Sequence, residues 1–160
     1  MSIRTLVCSV VTGVVFCTAL TASALAAPQA GDNPKAPDVI LKSPTGETAP
    51  LTSYLGKKPV LLVFWASWCN DCRDEIPRLK KLNADRFKVI AVNEGESAWK
   101  TRRFISMNNI DYQVVLDSDG SVAKAFQVPG VPACAILNKE GLIIYRGMSR
   151  NHSSNHVVMK

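Results

Sequence analysis

At 160 residues, with 47% hydrophobic and 20% charged residues, the chain carries one domain's worth of sequence in the proportions of an ordinary soluble globule. That balance excludes a disordered or coiled chain and leaves enough apolar material for a core of normal size. The formal charge of +6 is spread out, the tight pairs being Lys57-Lys58, Lys80-Lys81 and Arg102-Arg103, each with acids nearby; this argues against nucleic acid as a partner and implies only a mild preference for anionic partners or membrane surfaces.

Near the start, Arg4 stands ahead of an almost uncharged apolar run from Leu6 to Leu20, followed by the mostly small residues Thr21-Ala22-Ser23-Ala24-Leu25-Ala26-Ala27. That order predicts a secretory signal peptide over residues 1–26, cut before Ala27 or, less well, after Ala24. The alternative is an uncleaved anchor, although the run is shorter than the roughly 20 apolar residues that span a bilayer. Lipoprotein processing is disfavoured because the large Phe16 directly precedes Cys17. Cleavage removes Cys8 and Cys17 and leaves Cys69, Cys72 and Cys134, an odd and sparse set that does not read as a disulfide framework in an exported protein.

Residues 27–37, rich in Pro, Ala, Gly and Asn, read as a flexible lead-in. Val39-Ile40-Leu41 and Glu47–Leu51 flank the turn Ser43-Pro44-Thr45-Gly46 and predict a small hairpin. The continuous apolar run Pro59–Trp65 predicts a strand buried on both faces of a mostly parallel sheet. After the loop Ala66-Ser67-Trp68, a helix is expected to open at about Cys69. It buries Ile76, Leu79 and Leu82, turns Arg78, Lys80 and Lys81 outward, and kinks at Pro77. Next come a strand at Val89–Asn93, a helix over Glu96–Asn108, a strand at Gln113–Leu116 and, after the turn Asp117–Gly120, a short helix from Ser121 to Phe126. Strands at Ala133–Leu137 and Leu142–Tyr145, joined by Asn138-Lys139-Glu140-Gly141, close the pattern as a hairpin. Alternating strands and helices ending in an antiparallel pair predict an α/β layer structure around a mixed sheet.

Chemistry concentrates in Trp68-Cys69-Asn70-Asp71-Cys72. Covalent haem attachment needs His after the second cysteine, where this chain has Arg73, and a zinc ribbon needs a second ligand pair that is missing. A dithiol at a strand-to-helix junction remains, the context in which Cys-x-x-Cys reads as redox-active. Cys69, at the helix start, faces unpaired N–H groups and the positive end of the helix dipole, which favours its thiolate and makes it the nucleophile. Cys72, one turn further in, is expected to be more buried and to resolve the mixed disulfide.

The run Val63-Phe64-Trp65-Ala66-Ser67-Trp68-Cys69-Asn70-Asp71-Cys72-Arg73-Asp74-Glu75-Ile76-Pro77 resembles the active-site segment of the TlpA/ResA-like family of exported thiol–disulfide oxidoreductases. Val89–Ser97 and Gly130-Val131-Pro132 are further matches, so the resemblance covers Ala36 to Gly147. It implies a thioredoxin-like α/β fold over residues 38–147, with a mixed central sheet flanked by helices, an N-terminal hairpin extension and a central βα insertion. Residues 148–160 then form a tail or a short helix.

The resemblance also implies a redox disulfide Cys69–Cys72, a cis peptide before Pro132, and Glu75 as a buried acid that exchanges a proton with the resolving thiol. Val131 and Trp68 would touch substrate, Trp65 would belong to the core, and Pro129 to loop geometry. The implied partners are exported proteins with disulfides, apocytochrome c among them, and a membrane thiol-reducing donor; no cofactor and no metal is expected.

Cys134 falls where the family often has Thr and reads as a small buried thiol, although it could lie near the dithiol. His152 and His156, at i, i+4 spacing near the chain end, make a poor metal site. The carboxylate of Asp71 opposes thiolate formation and so favours a reductant over a strong oxidant. A disulfide-forming oxidase or isomerase and a Cu(I)-binding thiol module remain as alternatives. A peroxidase of the peroxiredoxin class fits poorly: it wants Pro seven and Thr or Ser three residues before its cysteine. Those positions hold Leu62 and Ala66 before Cys69, and Trp65 and Cys69 before Cys72.

Overall fold

The computed structural model describes residues 33–149. The signal peptide, the first part of the lead-in, and the tail with His152 and His156 lie outside the described residues. The strands are β1 (Ile40–Lys42), β2 (Thr48–Pro50), β3 (Val60–Trp65), β4 (Lys88–Glu94), β5 (Gln113–Asp117), β6 (Ala133–Leu137) and β7 (Ile143–Met148). They form one mixed sheet in the order β2-β1-β5-β4-β3-β6-β7. β3 runs parallel to β4 and β4 to β5, while β1 pairs antiparallel with β2 and β5, and β6 antiparallel with β3 and β7.

The strand period of two sorts the central residues onto two faces. Val60, Leu62 and Phe64 of β3, Ile90 and Val92 of β4, and Ala133, Ala135 and Leu137 of β6 share one apolar cluster. This cluster is closed by Val122, Ala123 and Phe126 from the helix α4 (Ser121–Ala125) and its end, and by Leu51 from a 3-10 turn over Leu51–Tyr54. Leu61, Val63 and Trp65, Val89 and Ala91, and Cys134 and Ile136 form the opposite cluster, with both cysteines of the motif. Leu79 and Leu82 of the helix α2 (Ile76–Asp85) and Phe104 and Ile105 of the helix α3 (Ala98–Met107) pack there. The unbroken apolar runs follow from this burial on both sides.

The expected hairpin, mixed sheet and central strand–helix unit are all present, and three local expectations are corrected. First, the kinked helix from Cys69 is two helices, α1 (Asn70–Asp74) and α2, divided at Glu75. Pro77 has no N–H to donate to the carbonyl one turn back, so the chain restarts with the proline in its first turn, where the missing donor costs nothing. Second, the described part of the lead-in is not loose. Lys35 bridges Leu142, the Ala36 N–H donates to the Gly141 carbonyl at 2.9 Å, and the Ile143 N–H donates to that of Pro34 at 2.9 Å. Third, the last strand runs past Tyr145 to Met148, because Cys134 and Ala133 of β6 still offer partners to Gly147 and Met148. Among the described residues no helix is long and apolar enough to cross a membrane.

Candidate active site

β3 stops at Trp65, and the Cys69 N–H donates back to the Ala66 carbonyl at 3.1 Å, closing a tight turn through Ser67 and Trp68. Cys69 keeps an extended backbone as the residue capping α1, and its Sγ accepts the Cys72 N–H at 3.3 Å. The two cysteines are joined in a disulfide with their Cα atoms 5.3 Å apart. That backbone donor lies at the sulfur of the first cysteine of the pair. The helix that Cys69 caps is short, with only five residues.

The expected difference in burial is corrected. Cys69 and Cys72 are equally covered, each 6% exposed, because the disulfide packs as one unit against Trp65 and the apolar cluster. What differs is position: Cys69 ends the turn, beside a Trp68 that is 64% exposed, while Cys72 lies inside the helix. Trp65 is buried, as expected, and stacks at a tilt on Phe104 with ring centroids 4.8 Å apart.

The register Val63↔Cys134 and Phe64↔Ala133 brings the start of β6 to the end of β3, next to the cysteine turn. The Val131–Pro132 peptide just before it is cis. Val131 is half-buried and packs against both apolar clusters. Cys134 is buried and free, in the same cluster as the disulfide. Burial pushes its thiol up to about 12, helped by the Glu75 charge and opposed by Arg78, so it is inert as a nucleophile at neutral pH. Glu75 is half-buried. Its Oε1 accepts the Ser149 hydroxyl at 2.6 Å, and with Arg78, Cys134 and Ser149 it lines a cavity of about 20 Å³. The structure thus brings Glu75 to Cys134 and Ser149, at the base of α1.

A polar network absent from the sequence reading backs the cysteine turn. Glu96 is 6% exposed. Its Oε2 accepts the Ser67 N–H and the Asn93 side-chain amide, both at 2.7 Å. Its Oε1 accepts the Ser67 hydroxyl at 2.7 Å and pairs with Lys100 at 2.6 Å. Burial alone would raise this carboxyl, but the bonds from Asn93, Lys100 and Ser67 outweigh it and hold it down at about 2. Thr101 donates its hydroxyl to Asn93 Oδ1 at 2.8 Å, fixing the amide. From the other side Arg73 donates to the Ser67 carbonyl through Nε at 3.2 Å and Nη2 at 2.7 Å. The signal available in the sequence was Ser97. As the side-chain cap of α3, accepting the Lys100 N–H, it leaves Glu96 outside the helix at the mouth of β4, where a carboxylate has to find partners. Among the described residues, no group of three or more His, Cys, Asp or Glu side chains is arranged to hold a metal ion.

The family model described as AhpC/TSA matches residues 33–146. The thiol-disulfide oxidoreductase ResA of Bacillus subtilis is 32% identical over 113 residues, covering 68% of this chain and 63% of ResA. The thioredoxin-like protein YneN of the same organism is 37% identical over 115 residues, covering 68% of this chain and 66% of YneN. The chain therefore spans about two thirds of the length of these relatives. A crystal structure from Chlorobium tepidum, described as a thiol:disulfide interchange protein DsbE, superposes with a TM-score of 0.66 at 29% identity, covering 71% of this chain and 82% of that one. The thioredoxin-like fold and the resemblance read from the cysteine segment are both borne out.

Proposed function

The chain belongs to the AhpC/TSA family, and from that premise we propose that it is an exported thiol–disulfide oxidoreductase that reduces protein disulfides through Cys69 and Cys72. The observation that carries this reading is the paired cysteines at the end of β3, with Cys69 Sγ accepting the Cys72 N–H and the exposed Trp68 beside it. The names of ResA and DsbE support the same chemistry.

In the reducing direction the Cys69 thiolate attacks one sulfur of a substrate disulfide. That S–S bond breaks, the departing sulfur takes a proton, and a mixed disulfide forms. Cys72 then gives up its proton and attacks the Cys69 sulfur, releasing the second substrate thiol. Two electrons and two protons pass to the substrate, and the Cys69–Cys72 disulfide remains to be reduced by a thiol donor at the membrane. Glu75 is the assigned acceptor of the Cys72 proton. Trp68, next to Cys69 in the chain, and Val131, before the cis-proline, are the assigned substrate contacts. The signal peptide over residues 1–26 would deliver the domain to the periplasm, where apocytochrome c is the substrate that the family resemblance favours.

A glutathione-poised titration of residues 27–160 with thiol trapping tests the direction. A potential near that of thioredoxin, about −270 mV, is expected, and one near the strong oxidants, about −120 mV, overturns the reductant reading. Cys72→Ser should accumulate a mixed disulfide with a substrate protein through Cys69. Cys69→Ser should form none.

A further inference from the structure

The turn that presents Cys69 is held at Ser67 by a carboxylate 29 residues further along the chain. Ser67 has three polar groups at the backbone and side chain, and each meets a charged partner. Its N–H and its hydroxyl donate to the two oxygens of Glu96, and its carbonyl receives two N–H groups of Arg73. Hydrogen bonds of 2.7 Å to an ionised partner are among the strong ones, and burial keeps water from competing for them. The carboxylate is itself held by Asn93, whose amide Thr101 fixes in turn, and from the solvent side by Lys100, half of whose side chain is exposed. None of these hydrogen bonds ends on a sulfur. Their effect reaches the cysteines through two peptide bonds, from Ser67 across Trp68 to Cys69.

We propose that Glu96 is a positioning residue for the dithiol: by gripping Ser67 it fixes the Cys69 turn against α1 and so sets how readily Cys69 and Cys72 close into a disulfide. The proposal rests on the thiol–disulfide reading of the site and deepens it. Closing the disulfide moves two electrons and two protons from the dithiol to glutathione disulfide, which becomes two glutathione thiols. The equilibrium constant measures how well the protein holds its two sulfurs together, because a loose turn dilutes one thiol with respect to the other. Strand β3 fixes one end of the turn and α1 the other, and Glu96 fixes the middle.

Glu96→Gln keeps the shape but replaces one accepting oxygen with an amide N–H₂, which faces donors that it cannot accept. Ser67→Ala removes only the hydroxyl and leaves the Ser67-position N–H, Asn93 and Lys100 on Glu96. Reduced wild type and both variants are equilibrated with glutathione buffers and trapped, and their thermal melting is followed in parallel. Glu96→Gln should lower the constant for disulfide formation by about tenfold, and Ser67→Ala by about threefold, as expected for losing one charged hydrogen bond or part of one. Tenfold corresponds to about 30 mV for a two-electron couple. Should Glu96→Gln fail to fold, Ser67→Ala carries the test. Constants within about 1.5-fold of wild type, or a fall in melting temperature with the constant unmoved, overturn the proposal. The activity reading is separated by assaying the wild type on oxidised insulin. Absent reduction there sinks the reductase but not the clamp, whereas active wild type with unmoved constants sinks the clamp alone.

Discussion

Cys134 shows how strongly surroundings decide what a side chain can do. It shares an apolar cluster with the disulfide, yet burial and the nearby Glu75 charge keep it protonated. In the native reduced protein iodoacetamide should therefore label Cys69 first and leave Cys134 unlabelled until the chain is unfolded. Cys134→Ala should cost roughly 1 kcal/mol of stability and keep disulfide exchange within about twofold of wild type; peptide mapping of the alkylated protein checks the first point. Rapid labelling of native Cys134 would mean that β6 opens far more than its packing suggests. For Glu75, Glu75→Gln should flatten the pH dependence of substrate reduction if that carboxylate takes the Cys72 proton, and an unchanged profile would remove it from the proton path. The paired sulfurs were legible because both lie within one short motif. Glu96 was not, because its partner Ser67 is 29 positions away and no local pattern marks a carboxylate that folds back on a turn.

Elements were legible to the extent that their signals were local. β3 and β4 announced themselves as unbroken apolar runs because both faces are covered, and the hairpin turns carried their own glycines and Ser or Asn bonds. The pairing of residues 34–36 with the Leu142 segment was hidden, since a stretch rich in Pro and Gly looks loose until an edge presents it with free backbone groups. The split between α1 and α2 was half visible: Pro77 signalled an interruption, and only tertiary packing decided that it would be a restart. The start of α4 has a less obvious device. Gly120 precedes it with φ 71° and has no side chain to cap with. The orphan N–H groups of Val122 and Ala123 are taken instead by the two carboxylate oxygens of buried Asp117, at 3.0 and 2.8 Å. Asp117→Ala leaves both donors without partners. By analogy with helix caps it should destabilise the protein by about 1–2 kcal/mol, read as a lower urea midpoint at constant slope. Loss of less than about 0.5 kcal/mol would show that water satisfies these groups.

Across the whole molecule, the charges at the mouth of the sheet oppose one another, and the opposition fixes how stability should depend on pH. Glu96 is held at about 2 in the fold, against 4.5 as a free group. A carboxyl lowered by folding contributes stability that is present above the unfolded value and lost as pH falls through the folded one, so this contribution disappears between about pH 4.5 and 2. The slope is at most about 1.4 kcal/mol per pH unit. Glu94, at the end of β4, is the reverse case. Burial first, and the charge of its strand partner Asp117 second, raise its carboxyl, and its Oε1 has no hydrogen-bond partner. A raised carboxyl favours the fold while protonated, and that contribution is lost as pH climbs above 4.5. Cys134 and Tyr112, both raised chiefly by burial, act alike at the alkaline end. The unfolded chain ionises first, so stability should fall again from about pH 9 towards about 12. Urea midpoints measured from pH 2 to 11 should trace a rise, a shallow decline and a steeper alkaline fall. Glu96→Gln should remove most of the acid-side rise, Glu94→Gln should flatten the shallow decline while leaving that rise intact, and Cys134→Ala should soften only the alkaline fall. If Glu96→Gln left the acid limb unchanged, the clamp on Ser67 would not be ionised in the native protein, and the short hydrogen bonds around it would need another origin.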